Sequence, residues 1–209
     1  MAKISPAIRL VTDDQREVVA FLEPSMAHGG TAVERIDTHI SVVFLAGNRI
    51  YKLKRAVHYD YVDFSTLEQR RMACEAEIRV NRRSSPALYL GTVPVVRTDD
   101  GALALGGEGE VVEWLAKMVR FDQTEFFDKL ADRGELTKEL IHDIADEVAR
   151  LHGEAEICLD NGGSAGMKWV IDGNLADMES QAELFNSADV ARYRILVEAA
   201  LVARGAVLE

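Results

Sequence analysis

The chain has 209 residues, a net charge of −11 and a hydrophobic content of 48%. That length fits one large domain or two small lobes, and the apolar content sets the chain apart from disordered sequences. The acidic balance argues against nucleic-acid binding, which needs a basic face, yet it allows a nucleotide held by one local cationic pocket.

Thr12-Asp13-Asp14-Gln15 has the form of a capping box. Val18, Val19 and Leu22 follow at helical spacing, predicting a helix over about residues 13–22 that Pro24 ends. Residues 25–30 read as a loop, and strands are expected from Val33. Ile40 to Ala46 is almost wholly apolar and fits a central strand covered on both faces. Gly47-Asn48 turns the chain back through Arg49 to Lys54. On that strand Ile50, Lys52 and Lys54 share one face, and Tyr51 and Leu53 share the other. Ser65-Thr66-Leu67-Glu68 is a second capping box, opening a helix expected to reach Arg83 before Pro86.

Val93–Val96, Ala102–Leu105 and Val111–Met118 read as strands, the first two joined by the turn Asp99-Asp100-Gly101. Gly106-Gly107-Glu108-Gly109 has the glycines of a phosphate loop. Without a following Lys-Ser or Lys-Thr and a helix, it reads as a turn. Beyond Phe121 the pattern becomes helical. Thr137 is a candidate N-cap, and Leu140, Ile141, Ile144, Val148 and Leu151 share one face up to His152-Gly153. Residues 161–166 read as a flexible loop, Ser180 to Glu183 as the cap of a further helix, and residues 188–204 as a last helix. The order predicts an α+β domain leading into a helical one, with a boundary near Phe121 to Thr124.

No run of 18 apolar residues is present, and the segment MAKISPAIRLVTDDQRE lacks the apolar centre of a secretion signal. Cys74 and Cys158 fit no metal spacing and read as reduced thiols of a cytoplasmic protein.

Lys52 and Lys54 are the first candidates for chemistry. Two lysines on one strand face are ordinarily a solvated surface that discourages edge pairing. The functional alternative is a point charge on nucleotide phosphates, oriented by a carboxylate of the next helix, either Glu75 or Glu77.

The segments THIS, YKLK, DFSTLEQRR, CEAEIRVNRR and ALYLGTVPV, in this order, resemble the N-terminal part of the aminoglycoside phosphotransferase-like kinases. They are most similar to a bacterial branch in which such a domain precedes a P-loop ATP-binding domain. DEVARLHGEA resembles that family's helix ending in Leu-His, so the resemblance covers roughly residues 10 to 185. It implies a protein-kinase-like fold: an antiparallel-sheet N-lobe with one main helix over residues 1–121 and a partial helical C-lobe over residues 122–209. It also implies ATP and Mg2+ between the lobes, and a hydroxylated small molecule as phosphate acceptor. Lys52 matches the family's strand lysine, with Lys54 as the alternative, and Glu77 matches the helix glutamate better than Glu75. Thr38, His39 and Ser41 fall where a phosphate-covering loop is expected, and Met118 to Arg120 where a hinge backbone meets adenine.

One departure limits the mechanism. The family's His-Gly-Asp loop, with an asparagine five residues later, and its Ile-Asp metal motif supply the substrate-orienting aspartate and the metal ligands. Here His152-Gly153-Glu154 carries Glu in place of Asp, Leu159 stands at the asparagine position, and Val170-Ile171-Asp172-Gly173 mimics the second motif. No catalytic residue or metal ligand is therefore assigned. The chain is expected to stop short of the catalytic loop and to bind nucleotide without transferring phosphate by itself. The alternatives are a non-catalytic kinase-like regulatory or interaction module, and an active kinase using the degenerate Glu154 and Asp172 site.

Overall fold

The structure is a computed structural model that describes residues 10–59, 61–158 and 162–208. Leu159, Asn161 and the stretch before Leu10, all used in the sequence reading, lie outside the described residues. The chain divides into two compact units, Met1–Gly153 and Glu154–Glu209.

The first unit is α+β. Its main sheet holds β2 (Val33–Asp37), β3 (Ser41–Ala46), β4 (Arg49–Lys54), β7 (Tyr89–Arg97), β8 (Leu103–Leu105) and β9 (Glu110–Val119). The strands are antiparallel in the order β2-β3-β4-β9-β7-β8. A small second sheet joins β1 (Leu10–Val11), β5 (Val57–Tyr59) and β6 (Val62–Asp63) in the order β1-β5-β6. The apolar run of β3 has its physical reason in this order, because β3 lies between β2 and β4 and nearly every side chain on it is buried.

The pleat sends alternate residues to opposite faces. On one face Val42, Phe44, Tyr51, Leu53, Val95 and Leu115 pack with Val18 and Leu22 of α1 (Arg16–Leu22). Burying each such side chain stabilises by about 1.5–3 kcal/mol. The other face carries α2 (Leu67–Asn81), whose Cys74 and Ile78 pack on Ala116, with Trp114 and Tyr89 alongside. Farther along that face Leu45, Ile50 and Met118 form an apolar patch bordered by Ile36, Val43, Tyr89 and Phe121.

Both capping expectations needed correction. Thr12 does not cap α1: its hydroxyl donates to the carbonyls of Ala56 and Ser65. The Gln15 side chain is also engaged elsewhere, donating to Lys54 O and Glu113 and accepting from Ala56 N–H. Asp14 instead accepts from the Arg16 N–H, so α1 starts later than the pattern suggested. For α2 the capping box is real but one residue later, between Thr66 and Gln69 rather than Ser65 and Glu68. The glycine tetrad is a turn between β8 and β9, where Gly106, Gly107 and Gly109 have positive φ.

The expected lobe boundary, near Phe121 to Thr124, lies just after β9 ends at Val119, and the first compact unit continues through α3 (Phe127–Asp132) and α4 (Lys138–Gly153). The Thr137 hydroxyl accepts from Leu140 N–H at the start of α4. In the second unit α5 (Gly163–Ser180) and α6 (Ser187–Leu208) pack together, burying Leu175 and Val190. Residues 163–166 are therefore helix rather than loop, because packing of the rest of α5 outweighs weak glycine propensity. Ser180 ends α5 instead of capping a new helix, and Asn186 caps α6 through the N–H of Ala188. No helix among the described residues is long and apolar enough to cross a membrane.

Candidate functional site

β4 and α2 build the site. Register places Lys52 beside Val43 and Ala116, and Lys54 beside Ser41, all on the α2 side of the sheet. On α2 the positions Arg70, Cys74, Glu77 and Ile78 recur at helical spacing, so Glu77 lies on the stripe that meets the sheet. Lys52 Nζ donates to Glu77 Oε1 at 2.9 Å, and Lys54 Nζ donates to Glu77 Oε2. Glu75 points elsewhere and pairs with the exposed Arg71 at 2.6 Å. Of the two helix carboxylates, Glu77 is the one that meets the lysines.

Burial pushes the Glu77 carboxyl up, but the hydrogen bonds and charges of Lys54 and then Lys52 outweigh it and hold it below its ordinary value. Two ammonium groups on one carboxylate leave one positive charge in excess. Such a site favours a further anion, and the surrounding low dielectric strengthens that preference.

The two lysines differ in surroundings. The Lys54 side chain is 8% exposed, its Nζ lies 5.4 Å from the centre of the Phe64 ring, and Lys52 is 29% exposed. Ser41 beside Lys54 is buried, and its hydroxyl is out of reach of solvent with no hydrogen-bond partner among the described residues. Thr38 closes the β2–β3 turn: its Oγ1 accepts from Ser41 N–H at 2.9 Å and its N–H donates to Ser41 O. Of the three residues of the expected phosphate-covering loop, Thr38 and Ser41 thus serve first to build the turn and the dry floor beside it, while His39 at the tip is exposed.

Met118 lies opposite Ile50 in the register, two residues from the Lys52–Ala116 pair. It lines a cavity of about 330 Å3 together with Asn81, Tyr89, Phe121 and Phe126. Backbone N–H groups of the segment from Met118 to Arg120, where the resemblance implies a hinge, are engaged by neighbouring carbonyls. Val119 N–H donates to Leu88 O and Arg120 N–H to Asn48 O, both within the sheet region.

A wider groove of about 710 Å3 opens on the α1 side of the sheet, lined by Val19, Val42 and Val57. Its arginines are already engaged: Arg16 with Asp14, Arg35 with Glu23 and Asp37, and Arg55 with Asp37. The excess positive charge lies on the α2 side instead.

Inspection of sequence motifs missed the device that fixes α2. Arg70 is fully buried and Glu113 is 1% exposed. Arg70 Nε donates to both Glu113 oxygens at 2.9 Å, Nη1 to Phe64 O at 3.1 Å and Nη2 to Asp13 at 2.9 Å. Gln15 adds a 2.7 Å bond to Glu113. The available signal was a charged residue on the apolar stripe of α2, seven positions before Glu77.

Asp172 sits within α5, exposed and paired with Lys168 one turn earlier, and Leu159 lies outside the described residues. Among the described residues no three His, Cys, Asp or Glu side chains are placed to share a metal ion.

No family model and no solved structure matches this chain. It is 33% identical over 161 residues to an uncharacterised protein of Mycobacterium bovis and, equally, to one of Mycobacterium tuberculosis. The match covers 75% of this chain and 30% of each relative, so the chain spans about a third of the length of the curated relatives it matches.

Proposed function

We propose that this chain is the nucleotide-binding part of an ATP-dependent small-molecule phosphotransferase of the aminoglycoside phosphotransferase-like kind. The observation that carries the reading is the convergence of Lys52 and Lys54 of β4 on Glu77 of α2. The order of elements supports it: the lysine strand is followed by the glutamate helix and then by the strand pair β7 and β9, with β9 back beside β4. In a protein-kinase-like lobe this arrangement holds the α- and β-phosphates.

The residues fit the nucleotide. Phosphate takes the one positive charge left in excess when Lys52 and Lys54 share Glu77, on the side where Lys52 is exposed. Adenine packs on the apolar patch of Val43, Ile50 and Met118, about two residues along the strand, or roughly 7 Å, from the charge. Magnesium fits less well, since no cluster of ligands for it is present among the described residues. The phosphate acceptor on this reading is a hydroxylated small molecule, and a P-loop ATP-binding domain follows in the longer protein.

Isothermal titration with ATP, ADP and adenosine tests the reading. ATP and ADP should bind more tightly than adenosine, with the difference lost at high salt and in Lys52→Ala. Equal or absent binding of all three sinks it and favours a non-catalytic interaction module.

A further inference from the structure

We propose that the two lysines divide the work at this site: Lys54 is a positioning residue, the resident counter-ion of Glu77, and Lys52 is the cation that turns to phosphate. The proposal rests on the nucleotide-binding reading and deepens it. A site with one lysine faces a conflict, because the ammonium that orients on the helix carboxylate is the same one the phosphate must draw away. As the phosphate takes it, the carboxylate loses compensation in a partly dry setting. Here Glu77 has one oxygen for each lysine, so Oε2 keeps Lys54 while Oε1 releases Lys52.

The surroundings assign the roles. Around Lys54 the site is closed: Phe64 lies under the ammonium, Ser41 beside it is buried, and Lys54 itself is among the buried residues. An incoming anion therefore meets far less open surface at Lys54 than at Lys52. Lys52 is more than three times as exposed and stands nearer the patch of Ile50 and Met118. The backbone of Lys54 is anchored as well, since its carbonyl accepts from Gln15 at 2.8 Å, in the network that also holds Arg70 and Glu113. Tyr89 and Cys74 also feel the charges of this cluster, burial pushes both upward and so keeps them neutral, and Glu113 acts on Cys74 from the neighbouring network.

Two measurements on this chain test the division. The first uses no nucleotide: carboxyl carbon-13 NMR follows the titration of Glu77 in the wild type, Lys52→Met and Lys54→Met. Loss of Lys54 should move the Glu77 midpoint upward further than loss of Lys52. An equal or reversed order overturns the proposal while leaving nucleotide binding untouched. The second is ATP titration in a Glu77→Gln background, where no buried carboxylate is orphaned and Lys54→Met keeps its fold. There Lys52→Met should weaken ATP about tenfold or more, the worth of a charge-assisted bond, whereas Lys54→Met should change it less than about twofold. Equal losses from both lysines in that background overturn the division of labour. If the wild type shows no preference for ATP over adenosine, the nucleotide reading falls, and the NMR order alone decides whether Lys54 is still the counter-ion.

Discussion

Replacing Arg70 with Met deletes the charge that compensates Glu113 in the centre of the first unit. The side chain is fully buried, donates to both Glu113 oxygens, and also satisfies the Phe64 carbonyl and Asp13. Leaving one buried ion without its partner costs about 3–5 kcal/mol. Glu113→Met should cost a similar amount, because the only counter-charge Arg70 then keeps is Asp13, which is half exposed. If the two losses were independent, the double variant would lose about 6–10 kcal/mol, which is most or all of the stability of an ordinary domain. The double variant Arg70→Met/Glu113→Met removes both charges together, so its cost should stay near that of either single change. What it still loses is mainly the acceptor for Trp114 N–H and one of two for Gln15, about 1–3 kcal/mol each at most. Urea unfolding of the four proteins, with slopes checked for constancy, gives the coupling energy as a double-mutant cycle. A cost below about 1 kcal/mol for Arg70→Met, or simple additivity, refutes the account of this network.

Three further outcomes follow from the same structure. Glu77 is held below its ordinary 4.5 by Lys54 and Lys52 against the opposing effect of burial. Because the folded value is depressed, the stabilisation it brings is complete above pH 4.5 and is lost as pH falls through the folded value. Thermal midpoints should therefore drop in acid more steeply for the wild type than for Glu77→Gln, and parallel curves would exclude this linkage. In Gly109→Ala the new Cβ would fall 2.3 Å from the Arg97 carbonyl oxygen at a φ of +141°. A destabilisation of at least about 1–3 kcal/mol is expected in urea, and a neutral effect would contradict the turn geometry. Cys158 is exposed, whereas Cys74 is buried and its thiol is pushed up to about 12 by that burial. A disulfide reagent should label one thiol in the native protein and the second only on unfolding, and fast labelling of both would place Cys74 wrongly.

Local chemistry made much of the first unit legible. The Gly47-Asn48 turn and the alternation of Arg49 to Lys54 fixed β4 and the face its lysines share, because period-two geometry leaves no freedom in which side chains go together. Less was legible where two structures could use the same side chain. Thr12 and Gln15 satisfy a capping pattern, but tertiary carbonyls and Glu113 took them, and α1 starts later as a result. The glycine-rich start of α5 looked like loop until α6 gave the helix something to pack on.

The sequence by itself determined that a lysine strand precedes a glutamate helix, and that the pairing of the two was worth considering. It could not decide between Glu75 and Glu77, nor separate Lys52 from Lys54, because both choices sit within one helical turn or one strand repeat. The tertiary structure decided them through burial. Glu75 faces solvent and Arg71, Glu77 faces the sheet, and Phe64 and Ser41 close over Lys54 while Lys52 stays open. Phe64, Ser41 and Glu77 stand 10, 13 and 23 residues from Lys54 along the chain, and only the folded chain brings them together.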